Sequence, residues 1–183
     1  MDRLATPQDV VSFWREAGPE RWFSKDEAFD EALRDRFLAT YEAAARGDCA
    51  EWALSPEGTL ALVLLLDQFP RNMFRGTQKA YATDPAALLT ANRAIERGHD
   101  RAVEPALHRF FYLPFMHSEA IADHERSVAL NDASGDVDGT RWARHHRDII
   151  ARFGRFPHRN AMLGRESTEA ERAFLAEEGS FQG

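Results

Sequence analysis

One cysteine, Cys49, stands in a chain of 183 residues, so no disulfide can close within it. That usage fits a reducing compartment and excludes a disulfide-stapled scaffold. Lysine is nearly missing too, since 21 of the 23 basic residues are arginine, a bias that genomic base composition alone can produce. Long apolar runs are absent. The longest, residues 60–66, falls far short of the ~18–20 residues that cross a bilayer, which argues against a membrane partner. The start, Met1-Asp2-Arg3-Leu4, lacks a basic cluster with an apolar run behind it, and no signal peptide is expected. No Ser/Gly-rich linker interrupts the chain and no strict 34-residue repeat is visible. A single cytoplasmic domain over residues 1–183 is the expectation.

What is present is average for a globular protein: 44% hydrophobic, 29% charged and 11% aromatic side chains, with a net charge of −7. Charge is uneven, however. Residues 139–165 hold seven arginines (141, 144, 147, 152, 155, 159 and 165) against one acid, Asp148, so that segment is basic in an acidic chain. Nucleic-acid binding usually needs a broad basic face, and no nucleic-acid partner is expected. A confined anion site suits the pattern better.

Helix signals recur along the whole length while strand signals are almost absent, which predicts an all-α fold of antiparallel helix pairs. Thr6-Pro7-Gln8-Asp9 supplies a capping threonine, a proline at the first helical position and an acid in the first turn. Ser24-Lys25-Asp26-Glu27 reads as a capping box, followed by Phe29, Leu33, Phe37 and Tyr41 at intervals of four. Asp48-Cys49-Ala50-Glu51 repeats that box on a smaller scale. Ser55-Pro56 opens an apolar helix over 60–68 that Phe69-Pro70 is expected to end. A helix from Asp84-Pro85 should turn Leu88, Leu89, Ala91 and Ile95 inward. Another should break at Leu113-Pro114. Ser118 is expected to cap a helix over 119–133. A further helix should run over 140–153 to Gly154, and Thr168-Glu169-Ala170-Glu171 should cap a short last one.

Two segments echo each other. Phe69-Pro70-Arg71-Asn72 and Phe156-Pro157-His158-Arg159-Asn160 share Phe-Pro and Arg-Asn chemistry, and each continues into an arginine and a glycine. Guanidinium is planar, permanently charged and matched to two oxygens of a phosphate or carboxylate. Arg71, Asn72, Arg75, Arg155, Arg159 and Asn160 are therefore the expected ligand-binding set. His117 and His158 are candidate proton-transfer groups, with Glu119 as an accompanying carboxylate. The alternative for the arginines is that they cap helix ends and pair with neighbouring acids. Arg152, on the last turn of its helix, is expected to be structural, and Arg159, beyond Gly154, to serve a ligand.

His117, Glu119 and Asp123 could also hold a divalent ion, but their spacing matches no strong signature, and no metal is expected. His146, with Trp142, Ile149, Ile150 and Phe153 on its helical face, reads as a core histidine. Asp67 reads as the partner of a nearby arginine. Phosphate loop, dinucleotide fingerprint and nucleophile elbow are all missing, no cofactor is expected, and Cys49 reads as inert.

Together Trp22-Phe23-Ser24-Lys25-Asp26, Leu66-Asp67-Gln68-Phe69-Pro70-Arg71-Asn72-Met73-Phe74-Arg75-Gly76, Tyr112-Leu113-Pro114-Phe115-Met116-His117-Ser118-Glu119 and 152–160 resemble the bacterial domain of unknown function numbered 924. The resemblance covers nearly the whole chain and implies an all-helical, tetratricopeptide-like fold. It implies no catalytic residues. At His124 the chain departs from the glutamine of the family pattern. Two functions are compatible with these residues. The first is a pocket for a small anionic ligand, phosphate- or carboxylate-bearing, clamped between the two Phe-Pro turns and open to hydrolytic chemistry. The alternative is a tetratricopeptide-like module that holds a peptide or protein partner without catalysis, with Trp14, Trp22, Trp52 and Trp142 as contact candidates.

Overall fold

A computed structural model describes residues 4–177, which form helices and no strand. The Met1-Asp2-Arg3 start, where no leader is expected, lies outside the described residues. Among the described residues no helix is long and apolar enough to cross a membrane. The contacts gather the chain into two compact units. The first reaches Arg75 and resumes over Lys79–Pro114; the second takes Gly76–Gln78 and the chain from Phe115 onward.

In the first unit lie α1 (Pro7–Ala17), α2 (Pro19–Trp22), α3 (Glu27–Arg46), α4 (Pro56–Val63), α5 (Phe69–Met73) and α6 (Asp84–Glu96). Its core is aromatic. Trp14 is fully buried, with its ring centroid 5.6 Å from Phe69 and 5.5 Å from Phe110, while Phe37 lies 5.2 Å from Phe69. Trp22 donates its indole N–H to the Trp14 carbonyl over 2.6 Å, so two large rings bury without an unmet donor on Trp22. At α1 Thr6 caps the helix as expected, and Asp9 completes a reciprocal capping box with it. At α3 it does not: Asp26 caps the helix by accepting from the Phe29 N–H, and Ser24 donates to the Arg21 carbonyl. Nor does a box form at Asp48, where Ala50–Leu54 is a 3₁₀ turn without a side-chain cap.

Phe69-Pro70 does not end its helix. The chain stays helical from α4 through α5 because Leu64–Gln68 widens into a π-helical turn, in which the Phe69 N–H reaches the Leu64 carbonyl five residues back. Proline has no N–H for the Leu66 carbonyl four residues behind it. Thr83 supplies the missing donor, its hydroxyl bonding that carbonyl over 2.6 Å. In α6 the buried stripe is Ala87, Ala91 and Ala94, while Leu89 faces outward, because small side chains let the helix approach its neighbours closely. Pro114 likewise sits inside a helix, α7 (Arg109–His117), rather than breaking one.

The second unit holds α8 (Ile121–Ser134), α9 (Val137–Phe153) and α10 (Glu169–Ala176). α8 starts two residues later than expected, and Ser118 serves the turn before it, donating to Asp123 and accepting from the Ala120 N–H. α9 starts three residues earlier, capped by Asp136. The two helices pack along a seam to which α8 brings the buried His124, Ser127 and Asn131, and α9 Gly139, Ala143 and His146. A β-carbon at Gly139 would collide with Oδ1 of Asn131, so any larger residue there would displace that side chain. Gly154 ends α9 in the left-handed region, φ 69°, and the chain then turns so that Phe156 packs on Ile149 and Ile150.

Candidate functional site

The first Phe-Pro segment is held by carboxylates of its own unit. Arg71 grips Asp84, the first residue of α6, through two bonds of 2.9 and 3.1 Å, and also lies 3.3 Å from Asp67, its fully buried i−4 neighbour. Asp30 on α3 takes both Asn72, at 2.7 Å, and Arg75, at 2.9 and 3.1 Å. Arg34 donates to the Met73 carbonyl at the end of α5. The Asp67 pairing expected from sequence is present. Asp30 and Asp84 carry no motif that marks them beforehand; each is an ordinary first-turn acid of a helix.

The second Phe-Pro segment is organised by two acids. Glu119 accepts the Phe156 N–H at 2.8 Å and both terminal nitrogens of Arg165, at 2.7 and 3.0 Å. Burial pushes its carboxyl up, but the Arg165 bonds and the Phe156 N–H prevail and hold it below the usual range. Glu171, buried on α10, binds Arg155 through two bonds of 2.7 and 2.9 Å and closes a capping box with Thr168, the expected cap. The Arg155 bonds bring its pKa down to about 2. Asn160, 1% exposed, donates to Ser167 at 3.1 Å and accepts from Arg165 at 3.0 Å. Sequence reasoning singled out Arg155, Asn160 and Glu119 but not Arg165 or Glu171 as site groups. The box at Thr168 was the available signal for Glu171, because its carboxylate sits where a capping box needs one.

Histidines gather around the Phe156 ring. His124 of α8 and His146 of α9 each lie 5.8 Å from its centroid, and His158 lies 5.5 Å away. Arg159, only 6% exposed, places its guanidinium 4.5 Å from the same centroid. Arg152, by contrast, is exposed, with its guanidinium 4.7 Å over Phe153. His117 is half-buried at the end of α7, and its charge acts on both His124 and His146. Burial drives the His146 pKa down to about 3, and its Nδ1 donates to the Trp142 carbonyl over 2.8 Å, as a core histidine requires. His124 is also held below its ordinary value, first by burial. Its Nε2 donates to the Ser118 carbonyl over 2.7 Å.

No group of three His, Cys, Asp or Glu among the described residues is placed to hold a metal ion. Cys49 is buried, and burial followed by the charges of Glu51 and Asp48 raises its thiol pKa. Trp14 and Trp22 are core, Trp52 is half-buried and Trp142 is 46% exposed.

The family model described as bacterial protein of unknown function, DUF924, matches residues 10–179. The chain is also similar to the solved structure of the protein of unknown function ATU0120 from Agrobacterium tumefaciens. The two are 54% identical, with 94% of this chain and 97% of that one covered and a TM-score of 0.91. No curated protein matches it.

Proposed function

We propose a function for a chain that belongs to the DUF924 family of bacterial proteins: its second unit binds a small anion at the histidine–arginine cluster around Phe156. One observation carries the reading. Three imidazoles and the buried Arg159 guanidinium converge on a single ring, within 4.5–5.8 Å of its centroid. A permanent cation kept out of water strengthens its attraction for an anion, and burial keeps the imidazoles of His124 and His146 neutral, so they add hydrogen-bonding groups without charge. His117 and His158, both half-buried, are the ligand's polar contacts in this reading. Asn160, Arg155 and Glu119 hold the turn that presents Arg159, and Arg71, Asn72 and Arg75 do the same for the first segment. Where the anion is a hydrolysable ester, His117 and His158 are the groups that move protons, since Glu119 stays ionised in its bonds to Arg165.

Titration calorimetry with phosphate, sulfate and acetate tests this. At least one anion is expected to bind the wild type, and His117→Gln or His158→Gln to weaken it about tenfold with little change in melting temperature. Unchanged binding in both variants would remove the cluster from the site.

A tetratricopeptide-like peptide module is the second reading, favoured by α9, which exposes Trp142 at 46% and Val137 at 82%, the latter on a groove also lined by Asp132, Thr140, Arg141 and Arg144. Peptide binding that quenches Trp142 and disappears in Trp142→Ala would support it.

A further inference from the structure

His124 is fully buried, and its two ring nitrogens are in different situations. Nε2 faces the Ser118 carbonyl at 2.7 Å. A carbonyl only accepts, so Nε2 carries the hydrogen and Nδ1 is left with a bare lone pair. That lone pair has no hydrogen-bond partner among the described residues. Buried acceptors are rarely left unmet, and this one is open to a donor from beyond the described residues. The ring stands against Phe156, the same ring over which the Arg159 guanidinium lies, so the site offers a cation and a proton acceptor together.

We propose that the anion of this cluster is an oxyanion that keeps a proton at neutral pH, hydrogen phosphate, whose O–H is donated to Nδ1 of His124 while its charged oxygens face Arg159. This rests on the anion reading above and narrows it. Sulfate and carboxylates are fully ionised at pH 7 and have no proton to give. With them the His124 lone pair stays unmet and meets a second lone pair, which is repulsive. Sites built to hydrogen-bond one group discriminate strongly against an analogue that lacks it. Desolvation keeps the imidazole neutral and so preserves the acceptor.

Inorganic phosphate and sulfate are titrated into the full chain at pH 7 by calorimetry. Phosphate is expected to bind at least about tenfold more tightly than sulfate. His124→Gln retains an N–H for Ser118 and an acceptor oxygen, and should keep the preference. His124→Phe retains a ring against Phe156 but no acceptor, and should bind the two ions alike. Equal binding of both ions by the wild type overturns the protonated-oxyanion inference and leaves the anion reading standing. Binding of neither ion overturns the inference, and the anion reading falls with it if acetate does not bind either. If His124→Phe does not fold, the wild-type comparison and the Gln variant decide alone; a preference that survives in folded His124→Phe assigns it to another group and refutes the inference.

Discussion

Arg159 and Arg152 show how far one residue's burial departs from its place in the chain. Position relative to the helix end suggests a structural Arg152 and a ligand-serving Arg159, yet Arg159 is 6% exposed against Phe156 while Arg152 lies on the surface. Arg159→Ala therefore opens a large void and is expected to melt well below the wild type, and Arg152→Ala, which loses an exposed cation–π contact and a helix-end charge, to cost about 0.5–1 kcal/mol. Thermal melts of the two variants check the order. Glu171 is a second test at this scale. It is 2% exposed and serves Arg155, Asn160 and the Thr168 N–H together. Glu171→Ala leaves those donors unmet and should cost about 1–3 kcal/mol, at the lower end because Arg155 is partly solvated. Chemical denaturation with an unchanged m-value would register it.

Among the elements, the helix through Pro70 depends on a residue thirteen positions later. The π-helical turn accommodates the ring, and Thr83 bonds the Leu66 carbonyl that a proline cannot. Thr83→Val keeps the shape and removes that donor. The expected loss is about 1–2 kcal/mol, read from urea midpoints; Thr83→Ser should recover most of it. An unaltered midpoint in Thr83→Val would mean that the Leu66 carbonyl finds water instead. Such a device is invisible in sequence, since Phe69-Pro70 reads as a stop and nothing near Thr83 announces a partner seventeen residues back.

For the molecule as a whole, pH is the sharpest probe, because His146 titrates at about 3 in the fold and near 6.5 when unfolded. Above pH 6.5 both states are neutral and the benefit of burying the ring is complete. As pH falls below 6.5 the unfolded chain takes the proton first, so stability drops by about 1.4 kcal/mol per pH unit toward pH 3. His124 adds in the same direction. Glu171, depressed to about 2, joins only below its ordinary value of 4.5, as its carboxylate is protonated. Melts between pH 7.5 and 5 should fall steeply in the wild type and more gently in His146→Gln; parallel curves would show that His146 is not the sensor. Sequence by itself determined the helical class, the Thr6 and Thr168 caps, the Gly154 stop, the core role of His146 and the Asp67–Arg71 pair. Each rests on spacing within a few residues, which the helical period translates directly into neighbours. Tertiary structure alone decided which acids take the arginines, how Pro70 and Pro114 fit inside helices, and that His124, His146, His158 and Arg159 meet at Phe156. Arg71 and Asp84 lie 13 residues apart and Glu119 and Arg165 46, and no local period encodes contacts that only packing brings together.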